Sequence, residues 1–498
     1  MKYILTIDQG TTGTTAMIWD EKGDSLASVN LEHQQYYPHP GWVEHDPEEI
    51  WLATIESSRQ AIESAGIDPS RIVSLGITNQ RETCVFWDRK TGKPLFPAIV
   101  WQCRRSASTC EELKKDGHEP TFREKTGLLL DPYFSGTKVR WALNNSLEVK
   151  EAALKGNLLF GTIDTWLIYK LTGNSAHVTD YTNASRTLLY NLKELKWDSE
   201  LLDILKIPQE VLPEVLPSSG IFGETSPEAF LGLQIPIGGV AGDQQAALFG
   251  QACFEPGMAK NTYGTGGFLL VNTGDKFVKS RNGLLTTIAW GIDNKVEYAL
   301  EGSVFIAGAS VQWLRDELGI IQNASDVNSL CANLQSNDGV YLVPAFVGMG
   351  APYWDPYARG IIVGITRGTG RAHIARAAVE AMAYQSRDVL DLMNKESGIP
   401  LKELRVDGGA SRNDFLLQFQ ADMVDIPVRR PAYPETTSLG AAYLAGLAVN
   451  VWKDRAAIAS LWKEDVCFMA KMVENERDKY YRGWKKAVAR SLKWIDED

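Results

Sequence analysis

The apolar run Tyr3-Ile4-Leu5-Thr6-Ile7 leads into Asp8-Gln9-Gly10-Thr11-Thr12-Gly13-Thr14-Thr15, and Ala16-Met17-Ile18-Trp19 leads out. The layout returns at Ala259 to Gly274, where Tyr263-Gly264-Thr265-Gly266-Gly267 forms the turn and Phe268-Leu269-Leu270-Val271 the outgoing strand. Both flanks are rich in the β-branched and aromatic residues that suit strands, and both turns are Gly/Thr. At 498 residues the chain is too long for one core. A strand–turn–strand unit that occurs twice therefore points to a single duplication, 1–250 and 251–498, with two hairpins turned toward one cleft.

A turn of small residues gathers backbone N–H groups and hydroxyls at one point, a concavity for an anion. Asp8 sits at its mouth, where a bare carboxylate repels phosphate and a shared Mg²⁺ resolves the conflict. Taken alone, the stretch also fits an ordinary hairpin.

Composition removes several classes. A net charge of -11 argues against nucleic acid as a partner. No apolar run approaches the roughly 20 residues of a membrane span, and no signal peptide is evident. Cysteines 84, 103, 110, 253, 331 and 467 form no CxxC pair, which suits a reducing cytoplasm. His33, His39 and His45 read as surface or packing residues.

In chain order, Ser25 to Leu31 adds a third antiparallel strand, a meander unlike the opening of a dinucleotide-binding fold. Asp46, Pro47 and Glu49 read as a capping box for a helix to about Ala65, with Ile50, Trp51, Ile55, Ile62 and Ala65 on its apolar face. Strand 72–78 ends in Asn79-Gln80-Arg81-Glu82-Thr83, either a polyol-recognising pair or a surface ion pair. Arg104 and Arg105 are structural or near phosphate. Helices begin near Tyr133, Gly161, Gly302, the paired glycines Gly408-Gly409, and Thr436. Asp243 follows a strand and Gly242 at a helix start, as a helix cap or as a general base beside phosphate. The tail from about Met469 to Trp494 is a basic helix whose stripe Tyr480, Tyr481, Trp484, Val488 and Leu492 suits docking onto the core.

The chain lacks GxxxxGK[ST] and GxGxxG. The elements Asp8–Thr12, the Asp243 segment and Asp407–Asn413 instead resemble the three nucleotide elements of the duplicated, actin-like ATPase fold. Within it, Tyr133–Asn145 and Gly360–Ala378 resemble the two long signatures of the FGGY carbohydrate kinases. Pro40-Gly41-Trp42-Val43-Glu44-His45, Asn79–Thr83, Trp101, Ala241–Gly250 and Tyr263–Gly266 with Phe268 are similar to the glycerol-phosphorylating branch. The resemblance covers residues 3 to about 450. It implies an α/β protein of two duplicated actin/hexokinase-like (ribonuclease H-like) domains with a catalytic cleft between them. It also implies ATP-dependent phosphorylation of glycerol to sn-glycerol 3-phosphate, in the cytoplasm, by a homodimer or homotetramer. Its alternatives are an FGGY kinase for another polyol or a ketose, and an actin-like nucleotide switch.

The resemblance assigns Arg81, Glu82, Tyr133, Asp243 and Gln244 to the glycerol hydroxyls and Trp101 and Phe268 to apolar walls. Asp243 becomes the general base, and Asp8 and Asp243 the Mg²⁺ residues. Thr11, Thr12, Gly13 and Thr265 line the phosphates of ATP or ADP; Gly308, Gln312, Gly409 and Asn413 take the rest of the nucleotide. Three departures stand out. Thr15 replaces an Arg frequent in the family, which implies a weaker grip on ATP. Phe230–Pro236 is shorter than the Arg-bearing loop that binds fructose 1,6-bisphosphate in some members, with Gln234 where that Arg stands. Ala229 occupies the place of a phosphorylatable His.

Overall fold

In the computed structural model, which describes residues 1–293 and 295–496, the opening meander forms as its apolar pattern demands. Strands β1 (Tyr3–Gln9), β2 (Gly13–Asp20) and β3 (Ser25–Glu32) pair antiparallel, with Asp8 opposite Thr15. Helix α1 (Pro47–Ala65) follows; Asp46 caps it by accepting from Glu48 N at 2.8 Å, and Ile50 and Ile62 are buried on its inner face. The expected capping box is incomplete. Glu49 turns away, accepting from Tyr36 Oη at 2.5 Å and Gln34 N at 3.2 Å, so it anchors the preceding loop instead.

β4 (Ile72–Asn79) lies parallel to β1, and β5 (Ile237–Gly242) parallel to β4, giving the order β5-β4-β1-β2-β3. Helix α2 (Ser135–Asn145) lies in the long insertion between β4 and β5, and α3 (Asp243–Gly250) closes this half. An antiparallel layer of Glu44–His45, Cys84–Asp88, Pro94–Ile99 and Leu158–Gly161 completes it. Trp101 lies just beyond the third of these strands, in a turn.

The second half rebuilds the plan. β6 (Met258–Tyr263) and β7 (Gly267–Gly274) form the second hairpin. β8 (Leu285–Ile292) and β9 (Lys295–Val304) extend it. Helices α4 (Gly308–Asp316) and α5 (Arg371–Ser397) precede β10 (Glu403–Asp407). Helix α6 (Asp414–Val424), β11 (Val428–Pro431), α7 (Thr436–Ala448), β12 (Glu464–Phe468) and α8 (Glu474–Ser491) finish the chain. The sheet order is β8-β9-β7-β6-β10-β11-β12. Its middle five strands repeat the spatial order of the first sheet: three antiparallel strands, then two parallel strands beyond the first strand of the hairpin, although here β9 takes the place beside the hairpin and β8 lies outside it. The helix starts expected near Gly302 and Gly409 fall later, at Gly308 and Asp414. Residues 302–304 still belong to β9, and a single 3₁₀ turn, Gly409–Arg412, precedes α6.

Each sheet has its own core. A third apolar cluster joins Ile4, Met17 and Trp19 of the first sheet to Leu270, Trp290 and Leu444 of the second half. The small residues of α3 and α7 make this seam possible. A β-carbon on Gly250 would stand 1.9 Å from Thr436 O, and one on Gly440 would stand 1.9 Å from Ala246 O. Only glycines permit so close a helix crossing. The tail helix docks as its stripe implies, with Tyr480, Trp484 and Val488 buried. Among the described residues no helix is long and apolar enough to cross a membrane.

Candidate active site in the cleft between the halves

β1 delivers Asp8 to the cleft side by side with the end of β4. Burial, then the nearby carboxylates of Asp243 and Glu435, push the Asp8 carboxyl up to about 7. Glu435 is the residue at the head of α7. Among the described residues no three side chains enclose a metal by themselves. Carboxylate oxygens gathered at one mouth suit a hard divalent cation that brings phosphate and water as its other ligands.

In the first turn Gly10 N donates to Gly13 O at 2.8 Å, and Thr11 Oγ1 accepts from Trp101 Nε1 at 2.9 Å. The expected phosphate turn and an expected substrate wall are thus in direct contact. Thr12 is exposed at the tip. Gly13 is fixed by packing: a β-carbon there would lie 2.8 Å from Leu31 O. In the second turn the Thr265 carbonyl accepts from Ala307 N at 2.8 Å and Ala309 N at 3.1 Å, and Gly308 N donates to Gly264 O at 3.0 Å. Thr265 and Gly308 therefore form one unit at the start of α4. Gln312 and Gly409 are exposed, and Asn413 Oδ1 caps α6 by accepting from Leu416 N at 3.0 Å. Among the described residues no hydrogen bond or ion pair joins Gln312, Gly409 or Asn413 to the Arg81–Glu82–Asp243 cluster.

Arg81 and Glu82 are buried, 3% and 1% exposed, which excludes a surface ion pair. Arg81 Nε stands 3.2 Å from Asp243 Oδ1 and 4.0 Å from Glu82 Oε1. Gly242 makes this approach possible, since a β-carbon there would fall 2.7 Å from the Arg81 stem. Glu82 is held at φ 62°, a left-handed conformation costly for a residue with a side chain and typical of functional sites. Asp243 Oδ1 also accepts from Gln244 N at 2.7 Å, and the carboxylate is one-third exposed. This geometry fixes one oxygen and presents the other to the cleft.

Tyr133 stands at the head of α2, its ring edge-on to Trp101 with centroids 5.6 Å apart, and burial pushes its phenol well up. Phe268 lies between Thr262 and Ser303 on the face of β7 that carries Leu270 into the seam between the halves. Gln244 is buried, and its Oε1 accepts from Lys260 Nζ. Arg105 is structural: it is buried, pairs with Glu44 at 2.7 Å and stacks on Trp42 at 4.0 Å. Arg104 pairs with Asp131 at 2.8 Å on the exposed side.

Four charged residues were not singled out from sequence. Arg186 Nε donates to Glu82 Oε1 at 2.6 Å, and Glu301 takes both Arg81 and Arg186. Lys260 is fully buried, and burial draws its ammonium down to about 8. Lys138, also fully buried, donates to the carbonyls of Tyr133 at 2.5 Å and Glu82 at 3.2 Å. For Lys260, Glu301 and Lys138 the available signal was a charge set within an otherwise buried strand or helix; Arg186 lies in a turn and carried none. Asp407 accepts from Gln251 Nε2 and Thr436 Oγ1, both at 2.7 Å, and so links the start of the second half to the head of α7.

Residues 3–250 match the model of the FGGY family of carbohydrate kinases, N-terminal domain, and residues 259–449 match that of the C-terminal domain. The chain belongs to the FGGY family of carbohydrate kinases. This FGGY kinase is 60% identical over 494 residues to glycerol kinase 2 of Thermotoga maritima, with 99% of each chain covered. Its structure superposes on Plasmodium falciparum glycerol kinase with ADP at a TM-score of 0.94 and 40% identity, covering 99% of this chain and 98% of that one. A ligand-bound xylulose kinase from Lactobacillus acidophilus gives 0.88 at 25% identity, covering 98% of each.

Proposed function

We propose that this FGGY kinase transfers the γ-phosphoryl group of ATP to a terminal hydroxyl of glycerol, giving sn-glycerol 3-phosphate and ADP. The observation that carries the reading is Asp243 held against Arg81 at 3.2 Å, beside buried Glu82 and the Trp101–Tyr133 wall. Full-length identity of 60% to a glycerol kinase supports it over a ketose kinase.

Arg81 and Glu82 donate to and accept from the substrate hydroxyls; Tyr133 and Gln244 add further polar partners. A pocket that pairs every hydroxyl rejects analogues lacking one, because its own buried groups then go unpaired. Trp101 and Phe268 cover the carbons and keep out water, the competing phosphoryl acceptor. Asp243 takes the proton of the attacking hydroxyl as the O–P bond forms and the β–γ bridge breaks to ADP. Thr11, Thr12, Gly13 and Thr265 meet the phosphates; Gly308, Gln312, Gly409 and Asn413 the remainder of the nucleotide. When bound, Mg²⁺ neutralises phosphate charge, with Asp8 and Asp243 on its side of the cleft.

The test is ATP turnover with Mg²⁺, with and without glycerol, in wild type and Asp243→Asn. Turnover should require glycerol, and kcat should fall roughly 10²- to 10⁴-fold in the variant. Glycerol-independent hydrolysis would favour a nucleotide switch. A nearly normal variant would remove Asp243 from the role of base.

A further inference from the structure

Glu301 lies on β9, in register with Leu270 and Leu285. Leu270 belongs to the apolar seam between the halves, so this position calls for an apolar side chain. It carries instead a fully buried carboxylate. A buried charge of this kind brings little net stability over an apolar residue of similar size, because its desolvation cost offsets its ion pairs. Its contacts indicate another use.

Both Glu301 oxygens engage Arg81: Oε2 accepts from Nη1 at 2.5 Å and Oε1 from Nη2 at 3.0 Å. Oε1 also accepts from Arg186 Nη2 at 3.0 Å. The two-pronged grip on Arg81 fixes the plane of the guanidinium, and with the outer nitrogens taken, Nε is the edge left facing Asp243 at 3.2 Å. Arg186 in turn points its own Nε at Glu82, 2.6 Å away. Arg81, Glu82, Arg186 and Asp243 all belong to the first half of the chain, and Glu301 to the second sheet. Withdrawal of that sheet would leave two neighbouring guanidinium groups sharing Glu82 and Asp243, with Gln245 Oε1, 3.2 Å from Nη1, as the other acceptor left to Arg81 and no two-pronged grip on its plane.

Building on the glycerol reading above, we infer that Glu301 is a positioning residue: from the second half it orients Arg81, and through Arg186 it orients Glu82, so that the polyol pocket is complete only when the halves are together. Glu301 acts through the two arginines and not on the reacting atoms.

The test compares Glu301→Gln and Glu301→Asp with wild type by steady-state kinetics against glycerol and ATP separately, with thermal melts as a folding control. Positioning by charge requires the glycerol KM to rise about tenfold or more in Glu301→Gln, while the ATP KM stays within about twofold. Glu301→Asp keeps the charge but loses a methylene, so it should keep more kcat/KM for glycerol than the isosteric Gln. Packing alone reverses that order. Should Glu301→Gln not fold, the selective rise in glycerol KM is read from Glu301→Asp. An unchanged glycerol KM, equal rises in both KM values, or Gln outperforming Asp in an active enzyme would overturn this inference and leave the glycerol reading intact. Wild type without glycerol-dependent turnover would overturn both.

Discussion

Thr15 stands directly opposite Asp8 across the first hairpin, and its hydroxyl accepts from Asn30 Nδ2 at 2.8 Å. Paired residues of neighbouring strands project from the same face, so Thr15 shares the face of Asp8. An Arg there would add a charge-assisted, two-pronged phosphate contact where Thr offers one hydroxyl already engaged by Asn30. Thr15→Arg should lower the ATP KM severalfold and leave the glycerol KM within about twofold, as read from initial rates. An unchanged ATP KM would show that other donors of the turn already saturate the phosphate.

Lys260 donates to Gln244 Oε1 and, at 3.0 Å, to Thr262 Oγ1. A fully buried lysine with neutral acceptors is expensive to keep, and what it achieves here is to fix the amide of Gln244 beside Asp243. Lys260→Met fills similar volume and removes the donor. One lost hydrogen bond of about 1 kcal/mol corresponds to a roughly fivefold rise in glycerol KM. Initial rates at varied glycerol would show it; a KM equal to wild type would mean Gln244 keeps its orientation without Lys260.

What the sequence discloses of the fold and the site follows a physical division. Hairpins, helix caps and the Arg81-Glu82 pair are local, so their spacing reveals them. Arg186, in a turn of the first half, and Glu301, on β9, are 115 residues apart and meet only because the two halves pack together. Each in isolation reads as an ordinary surface charge. The signal in hindsight is Glu301 between Leu300 and Gly302 on a strand buried on both faces, and Lys260 in a similar setting. Charges are rarely left there unless paired. Likewise α7 lies in the second half of the sequence yet packs on α3 and the first sheet, a crossing that chain order alone does not disclose. The capping box failed because the tyrosine hydroxyl of Tyr36 competes for Glu49.

The loop Phe230–Pro236 carries no Lys or Arg, and Gln234 Nε2 donates to Glu224 Oε2 at 2.6 Å. A bisphosphate needs clustered cations to replace its hydration, and here it would meet a carboxylate. Fructose 1,6-bisphosphate is therefore expected to leave kcat and both KM values unchanged in a coupled assay. Dose-dependent inhibition would require a site elsewhere on the protein.

Asp164 offers a prediction about stability apart from the cleft. It is fully buried, accepts from Thr162 Oγ1 at 2.5 Å and Thr179 Oγ1 at 2.6 Å, and lies near Asp180. Burial, then the Asp180 carboxylate, push its carboxyl up to about 7, far above the value near 4 of an unfolded chain. Between those values the folded state binds the proton and the unfolded state does not. This contribution to stability is therefore fully present below about pH 4 and is lost as pH rises through about 7. One such proton changes stability by about 1.4 kcal/mol per pH unit at most within that window. Asp164→Asn places a neutral amide in the same volume and removes the titration, so its melting temperature relative to wild type should climb between pH 5 and pH 8. Thermal melts of both proteins across that range test the point. A difference independent of pH would mean that Asp164 is ionised in the folded protein throughout, with its two threonine donors sufficient to hold the charge.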